Sequence, residues 1–486
     1  MECGYESCNN KVFKESDKCA LHCSNVCIKD EDTIEYLESF SELLFIYLFT
    51  EISNNEFYMV SRNGVRISNY SICDFTHRNI IFNNELKKRV EEISIIVENI
   101  IFPNNIRLEE FVANIRTIIR VLGSVTFKKC QFSFLYFSEI YNCYHEFCKF
   151  TEDVLISPSP KVTNKEGDAS IKYRYISCTF ENNVSLSPSG FSREVHCNIF
   201  SSCSFEKNIS INNLKINKNL FLFPDPLNEF NIDSIKQDFN KIKNCYKINS
   251  LSIKNCIFES DFRINGLGRE YIENLKFYGC EFGESILTIN SLEIIDTKFD
   301  SKVEIKYRVI EDFKFFNSNV AKVFDSFESR FEQLYFYKSI FTDFAGFEKV
   351  EFGLKGKDIE KYQAKFIYTT FMSFSNFRYT KFLSGLDFEN SNLKEQPNFL
   401  KTDISSKNTN RETFRIIKHS FDTSGNKIEA NRFFVKEMQA YRKEVSKEKK
   451  CSERFIFFMN GFLSEFGGSY FKPILLLIIL FEMYII

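Results

Sequence analysis

Residues 364–382, AKFIYTTFMSFSNFRYTKF, carry the clearest repeat in this chain. Its phenylalanines recur five or six residues apart, and each follows a small residue by two positions: Ala364 and Phe366, Thr369 and Phe371, Ser375 and Phe377, Thr380 and Phe382. An amphipathic helix repeats every 3.6 residues and a half-buried strand every two, so neither explains a step of five. The stretch therefore indicates a repeat whose sides are about five residues long.

A second, longer period surrounds this stretch. A phrase with a small residue two positions before an aromatic one returns at Tyr175–Phe180, Phe200–Phe205, Ile253–Phe258 and Phe277–Phe282. The small position recurs at Thr297, Ser318 and Ser339, at intervals of 21 residues. A fixed period of roughly 20 residues is typical of solenoids, in which each turn buries its face on the next.

These two periods resemble the pentapeptide-repeat family, whose unit is small–polar–Leu/Phe–polar–any. The resemblance covers residues 65–400, is best over 364–393, and is interrupted by insertions near 157–168 and 224–248. It implies a mainly β fold, a right-handed quadrilateral β-helix in which the Leu/Phe and the small residue point inward. The membrane-associated bacterial members of the family are the most similar type.

Composition excludes several other classes. The chain has 486 residues, with 57 Phe and 22 Tyr but only 17 Gly and 8 Pro, which argues against a collagen-like or disordered protein. A net charge of −2 gives no strong field to attract nucleic acid, so a nucleic-acid partner is not expected. Met1 leads directly into Glu2 and Cys3 without a signal peptide, so we expect the 16 cysteines to lie in a reducing compartment.

The N-terminus carries the clearest chemical motif. Residues 1–30 contain Cys3-x4-Cys8-x10-Cys19-x2-His22, followed by Cys23 and Cys27. Tetrahedral zinc takes thiolate and imidazole ligands in pairs of this kind, and the pattern resembles short treble-clef zinc modules. We expect one structural zinc ion on Cys3, Cys8, Cys19 and His22, with Cys23 or Cys27 as alternatives to His22. A flexible tail with incidental cysteines is the other interpretation.

The remaining cysteines are expected to be structural. Those in the repeated phrase occupy its small position and are predicted to be inert interior residues: Cys130, Cys178, Cys203, Cys256 and Cys280. Cys143, His145 and Cys148 could form a second metal site but lack an obvious fourth ligand. The sequence contains no Gly-x-Ser-x-Gly elbow, no Walker lysine and no His-Glu-x-x-His, so we do not expect an enzyme.

Helices are predicted on both sides of the repeats. Residues 31–64 are predicted to form a helical cap. Residues 401–450 carry 13 Lys/Arg against 7 Asp/Glu and read as a basic helical hairpin around the turn Gly425-Asn426. Its apolar stripes are Phe414, Ile417 and Phe421, then Phe434, Met438, Tyr441 and Val445. Gly425–Met438 resembles a segment that follows the β-helix in membrane-bound family members, although a plain core hairpin is compatible with it.

Residues 451–486 read as an interfacial helix followed by an apolar segment. Residues 471–486 would extend about 24 Å as a helix, against roughly 30 Å of hydrocarbon in a bilayer. Either the segment inserts partway, or the sequence stops inside a longer membrane domain; we favour the second, and a buried core helix is the alternative. The basic hairpin and Lys472 predict that most of the chain faces the cytoplasm.

Together these features predict a membrane-tethered scaffold whose β-helix binds a protein partner. One alternative is a DNA mimic that binds topoisomerases, as some family members do. Residues 251–400 carry 20 basic and 23 acidic residues, which is too nearly neutral for that role. Another is the cytosolic part of a channel-like or transport-like protein whose active region lies beyond residue 486. The sequence does not indicate the oligomeric state.

Overall fold

The structure is a computed structural model. It describes residues 2–5, 8–14, 16–23, 32–54, 93–104, 115–116, 119–120, 122–133, 142–157, 173–188, 193–195, 197–222, 248–264, 288–354, 360–447 and 451–485. The chain divides into two compact units, Met1–Ser252 and Ile253–Ile486.

Short strands make up most of the described chain. The strands are β1 (Ser94–Glu98), β2 (Ser124–Lys128), β3 (Gln131–Phe132), β4 (Cys143–Glu146), β5 (Lys149–Phe150), β6 (Val154–Ile156), β7 (Tyr173–Ile176), β8 (Thr179–Phe180), β9 (Val184–Leu186), β10 (Glu194–Val195), β11 (Asn198–Ser201), β12 (Ser204–Asn212), β13 (Lys215–Ile216), β14 (Phe221–Leu222), β15 (Ile248–Lys254), β16 (Ile257–Phe258), β17 (Phe262–Arg263), β18 (Thr288–Ile295), β19 (Lys298–Phe299), β20 (Val303–Glu304), β21 (Val309–Phe316), β22 (Asn319–Val320), β23 (Phe324–Asp325), β24 (Arg330–Tyr337), β25 (Ile340–Phe341), β26 (Ala345–Gly346), β27 (Glu351–Phe352), β28 (Ala364–Ile367), β29 (Thr370–Phe371), β30 (Ser375–Asn376), β31 (Lys381–Phe382), β32 (Leu386–Asp387), β33 (Asn392–Leu393) and β34 (Asp403–Ile404). The helices with described bounds are α1 (Thr33–Asn54), α2 (Arg411–Thr423), α3 (Lys427–Lys447), α4 (Cys451–Ser464) and α5 (Phe471–Ile485).

The first unit is built from parallel strand pairs. One sheet has the order β1-β2-β4-β7-β11-β14, and another runs β3-β5-β8-β12, with β6 and β9 joined to β12. A third row begins with β10, which pairs in parallel with β13. Neighbours in these sheets are distant in sequence, because each strand pairs with the equivalent strand of the next repeat.

The second unit repeats this pattern with a more regular step. Its parallel rows are β18-β21-β24-β27-β31-β34, β16-β19-β22-β25-β29-β33 and β17-β20-β23-β26-β30, and β28 pairs with β24 and β32. The described chain is therefore mainly β, with parallel sheets and few helices, as the sequence predicts.

Strand register confirms the longer period predicted from the small residues. Val309 pairs with Thr288 on one side and with Arg330 on the other, at equal distances along the sequence. The small residues also align, because the backbone N–H of Thr297 donates to Ser318 Oγ at 3.0 Å. The sequence separation between paired residues is longer for Leu334 and Ala364. It returns almost to its earlier value for Ala364 and Leu386.

Phenylalanine rings fill the interior of the second unit. Phe371, Phe377 and Phe382 are each at most 1% exposed, which confirms the inward phase predicted from the five-residue step. Rings of successive repeats stack in columns: Phe377 lies between Phe347, with centroids 4.9 Å apart, and Phe399, at 5.0 Å. Offset ring stacking adds to the stabilisation that comes from burying the aromatic area.

Three of the predicted inert cysteines, together with Cys148 from the second candidate metal site, form a column inside the first unit. Cys130, Cys148, Cys178 and Cys203 are each about 1% exposed, and each follows a residue with positive φ. Each thiol donates to a carbonyl of an earlier repeat, as Cys178 Sγ does to the carbonyl of His145 at 3.4 Å. Ser339 Oγ makes the equivalent bond to the carbonyl of Phe315 in the second unit, so cysteine and serine occupy the same kind of position. Cys256 is also buried, and Cys280 lies outside the described residues.

Helices α2 and α3 form the predicted hairpin. The side chain of Asn410 caps α2 by accepting from the N–H of Thr413 at 2.8 Å, and Phe414, Ile417 and Phe421 are buried as expected. In α3 the buried phenylalanine is Phe433 rather than the predicted Phe434, because Phe433 stacks on Phe421 at 5.6 Å. Phe434, Met438 and Tyr441 are only half-buried, whereas Val445 is buried.

The apolar side chains of α4 and α5 are largely exposed. Phe455 is 65% exposed in α4, and Leu477 and Phe481 in α5 are 67% and 65% exposed. In the part of the chain that the structure describes, no helix combines the length and apolar character needed to cross a bilayer. This finding does not support the transmembrane segment expected within residues 451–486.

Candidate metal centre

The N-terminal residues fold into two tight turns that bring the predicted ligands together. Glu2 and Lys11 form an antiparallel bridge, and the N–H of Cys8 closes a turn on the carbonyl of Tyr5 at 3.1 Å. A second turn is closed by the N–H of His22 on the carbonyl of Cys19 at 3.0 Å. The spacings Cys3-x4-Cys8 and Cys19-x2-His22 thus correspond to two turns whose side chains converge.

The four predicted ligands form one compact cluster. The thiol sulfurs of Cys3, Cys8 and Cys19 and a ring nitrogen of His22 all lie within 4.8 Å of one another, an arrangement that could hold a metal ion. His22 Nδ1 lies 3.5 Å from Cys3 Sγ and 3.3 Å from Cys19 Sγ. The sulfurs of Cys8 and Cys19 are 3.8 Å apart. Among the described residues, this is the one group of three or more His, Cys, Asp or Glu side chains with such geometry.

Neighbouring groups orient the ligands. The ring of Tyr5 stacks on His22 with centroids 4.2 Å apart and fixes the plane of the imidazole. The N–H of Cys19 donates to Cys3 Sγ at 3.2 Å, and Asn10 Nδ2 donates to Cys19 Sγ at 3.9 Å. Donors of this kind stabilise the negative charge of thiolates and are typical outer-shell partners of metal ligands.

The same surroundings shift the pKa values of the ligand side chains. Burial alone would raise the pKa of Cys3, but hydrogen bonds with the backbone of Cys19 and Tyr5 bring that pKa below its usual value. Burial raises the pKa of Cys19 to about 12. Burial, and secondarily Lys18, lowers the pKa of His22, so the imidazole is neutral at physiological pH. Because thiol ligands must lose their protons, a metal ion that binds here releases protons from the cluster.

Of the alternative ligands, Cys23 does not join the cluster. Cys23 is buried and its sulfur lies 3.4 Å from Ser16 Oγ, and Cys27 lies outside the described residues. Cys143, His145 and Cys148, the second candidate site, are buried residues of the first unit whose side chains face its interior. Cys148 Sγ donates to the carbonyl of Phe127 at 3.2 Å and belongs to the cysteine column.

Sequence reasoning missed Tyr5 and Asn10, which lie two residues after Cys3 and Cys8 respectively. Neither residue type is a zinc ligand, so the Cys/His spacing gave no reason to select them. Comparisons with protein-family models, curated proteins and solved structures give no match to this chain.

Proposed function

We propose that the chain is a non-enzymatic scaffold: a β-helix that is tethered to a membrane and offers its sides to a protein partner. The observation that carries this proposal is the exposed apolar surface of α4 and α5. A helix that is apolar on all sides is normally buried in a core or in lipid. In α5, exposed apolar residues occupy every side of the helix: Phe471, Ile474, Leu475, Leu477, Ile478, Ile479, Leu480 and Phe481.

We propose insertion of α4 and α5 into one leaflet as the form of this tether. The 15 residues of α5 extend about 22 Å, less than the roughly 30 Å of hydrocarbon in a bilayer. Residues 401–450, with 13 basic and 7 acidic side chains, lie next to these helices in sequence and would favour the anionic cytoplasmic leaflet. Membrane attachment with most of the chain on the cytoplasmic side follows from this combination.

The internal geometry supports a quadrilateral β-helix of the pentapeptide-repeat kind. Within one 21-residue repeat the buried positions Ile294, Phe299, Ile305 and Ile310 are five or six residues apart, and Phe315 begins the next repeat as the register partner of Ile294. Four inward residues per repeat correspond to four sides. The right-handed sense and the assignment to the pentapeptide-repeat family belong to this proposal.

Exposed apolar side chains on the second unit support a protein partner. Ile340, Tyr368, Met372 and Phe374 are 37–51% exposed. Tyr368 lies edge-on to Tyr337, and Lys338 extends over that same Tyr337 ring at 5.2 Å. Aromatic and methionine side chains are enriched in the cores of protein interfaces. The nearly neutral charge of residues 251–400 gives the DNA-mimic alternative less support.

Vesicle flotation tests the tether. We expect the full chain to float with vesicles of phosphatidylcholine and phosphatidylglycerol, and the double variant Leu477→Glu/Phe481→Glu to lose flotation, because each change places a carboxylate on the apolar surface. Ile428→Glu is the matched control, since Ile428 is 83% exposed but lies in α3. A full chain that stays monomeric without detergent and does not float would refute the tether.

We further propose that the N-terminal cluster binds one structural zinc ion. For zinc, ligand bonds of about 2.3 Å to sulfur and about 2.0 Å to nitrogen imply tetrahedral edges of roughly 3.8 Å between sulfurs and roughly 3.5 Å between sulfur and nitrogen. The separations in the structure are 3.8 Å between the sulfurs of Cys8 and Cys19 and 3.3–3.5 Å from His22 Nδ1 to the sulfurs of Cys19 and Cys3. Four protein ligands leave no open position for a substrate, so the role is structural.

Metal analysis of the purified chain tests this assignment. We expect about one zinc per chain, retained in Cys23→Ser and lost in Cys19→Ser, because Cys19 lies in the cluster and Cys23 does not. Protein prepared without chelator that contains no zinc would contradict the assignment.

A further inference from the structure

The loop between two of the metal ligands contacts the first β repeat directly. Cys19 and His22 flank Ala20 and Leu21, and the carbonyl of Leu21 accepts a hydrogen bond from the N–H of Ile101 at 2.9 Å. Ile101 itself bridges in parallel to Gln131, the first residue of β3. Leu21 is 2% exposed. The metal-site loop therefore lies against the backbone next to β3, which is the first strand of its sheet among the residues that the structure describes.

Helix α1 completes this contact. The hydroxyl of Tyr36 donates to the carbonyl of Cys23 at 3.1 Å, and its ring lies edge-on to Phe13 at 5.4 Å. One turn further on, Phe40 packs edge-on against Phe102 at 5.5 Å. Phe102 in turn stacks on Phe132 at 4.4 Å and so begins the aromatic interior.

We infer that the metal ion acts as a latch that holds residues 19–23 and α1 over the edge of the first repeat that the structure describes, at Ile101. This inference depends on the proposed zinc site and adds a role for it. About twenty residues cannot bury enough apolar surface to hold a defined fold without a staple. Within the turn from Cys19 to His22, the described contacts include one internal backbone hydrogen bond, from the N–H of His22 to the carbonyl of Cys19 at 3.0 Å. If this turn is released, the N–H of Ile101 loses its acceptor, the carbonyl of Leu21. The strand edge that is then exposed is a template for unwanted strand pairing.

Amide hydrogen exchange of the zinc-loaded full chain tests the latch. Removing zinc from the wild-type protein with a chelator should speed exchange of the Ile101 amide by about tenfold or more, because local opening of this edge no longer has to break the metal cluster. Exchange at residues 330–337 in the second unit should stay unchanged, and added zinc should restore the protection. Cys19→Ser should reproduce the chelated state, and Cys23→Ser should behave like wild type.

The results separate the two proposals. A wild-type chain that contains no zinc refutes the metal site and with it the latch. A chain that binds zinc, and whose exchange at Ile101 is the same with and without the ion, refutes the latch and leaves the zinc site intact. Because the chelator experiment uses the wild-type sequence, it remains decisive if Cys19→Ser fails to fold.

Discussion

Phe377 is a single ring that belongs to a column, since it stacks between Phe347 and Phe399 and is fully buried. Truncation to alanine would leave a cavity in a closely packed interior. We expect Phe377→Ala to lower the free energy of unfolding by about 3–5 kcal/mol.

The neighbouring Arg378 provides the control for that change. Its guanidinium lies over the ring of Tyr379 at 5.0 Å on the outside of the repeat. We expect Arg378→Ala to cost about 1 kcal/mol or less. Urea denaturation of both variants measures the difference, and equal losses would mean that the inward phase of this segment is wrong.

We expect His145 to make the first unit sensitive to acid. Its imidazole lies between Phe127 and Tyr175, with centroid distances of 5.4 and 5.0 Å, and neither ring nitrogen has a hydrogen-bond partner of good geometry in the described structure. Burial, and then the charge of Arg174, lowers the pKa of His145 to about 3. The histidine pKa in the unfolded chain is about 6.5. Between about pH 3 and pH 6.5, the unfolded chain therefore binds a proton at His145 that the folded chain does not bind.

The sign of the pH effect follows from this difference. The stability that the neutral imidazole contributes is complete above about pH 6.5 and falls as the pH drops toward 3, by up to about 1.4 kcal/mol per pH unit. We expect His145→Phe to reduce the loss of stability between neutral pH and pH 5, by roughly 2 kcal/mol at most. Denaturation midpoints at the two pH values measure it. The exposed His419→Gln is the control, and an identical acid response in both variants would contradict the assignment.

At the scale of elements, the start of α2 is set by one side chain. Asn410 Oδ1 accepts from the N–H of Thr413, and its Nδ2 donates to Asp387 Oδ1 in β32 at 2.8 Å. We expect Asn410→Ala to destabilise the second unit by about 1 kcal/mol and Asn410→Ser to recover part of that loss. Thermal unfolding checks the ranking, and an alanine variant as stable as wild type would show that the cap is dispensable.

The elements also show how far the sequence alone could be taken. The five-residue step and the longer repeat period were readable because an interior position accepts only a small or an apolar residue, as at Ser339 and Phe341. The same reasoning failed in α3, where two phenylalanines are adjacent and Phe434 was predicted to be buried. Packing against Phe421 in α2 places Phe433 in the interior instead. Cys148 resembled a metal ligand in a short window of sequence, and only pairing across repeats places it in the interior column.

The candidate metal site was also only partly predictable from the sequence. Cys3, Cys8, Cys19 and His22 were predictable because thiol and imidazole side chains in paired spacings have few other uses. The stacking of Tyr5 on His22 and the contact between Leu21 and Ile101 were not, since both depend on how the chain folds back. The unbroken apolar run Leu475–Leu480 likewise indicated a helix but could not say what covers it.

The strand register of the second unit advances by one fixed repeat length. Whole repeats could therefore be removed from this unit or added to it while the remaining strands keep their pairing. Excising residues 309–329 would bring Arg330 beside Thr288, in the place that Val309 now holds, and every strand pair beyond it would keep a suitable neighbour. The longer step between Leu334 and Ala364 already accommodates extra chain with the pairing intact. Gene duplication or unequal crossing-over could thus change the reach of such a protein by whole increments while its two ends are left as they are.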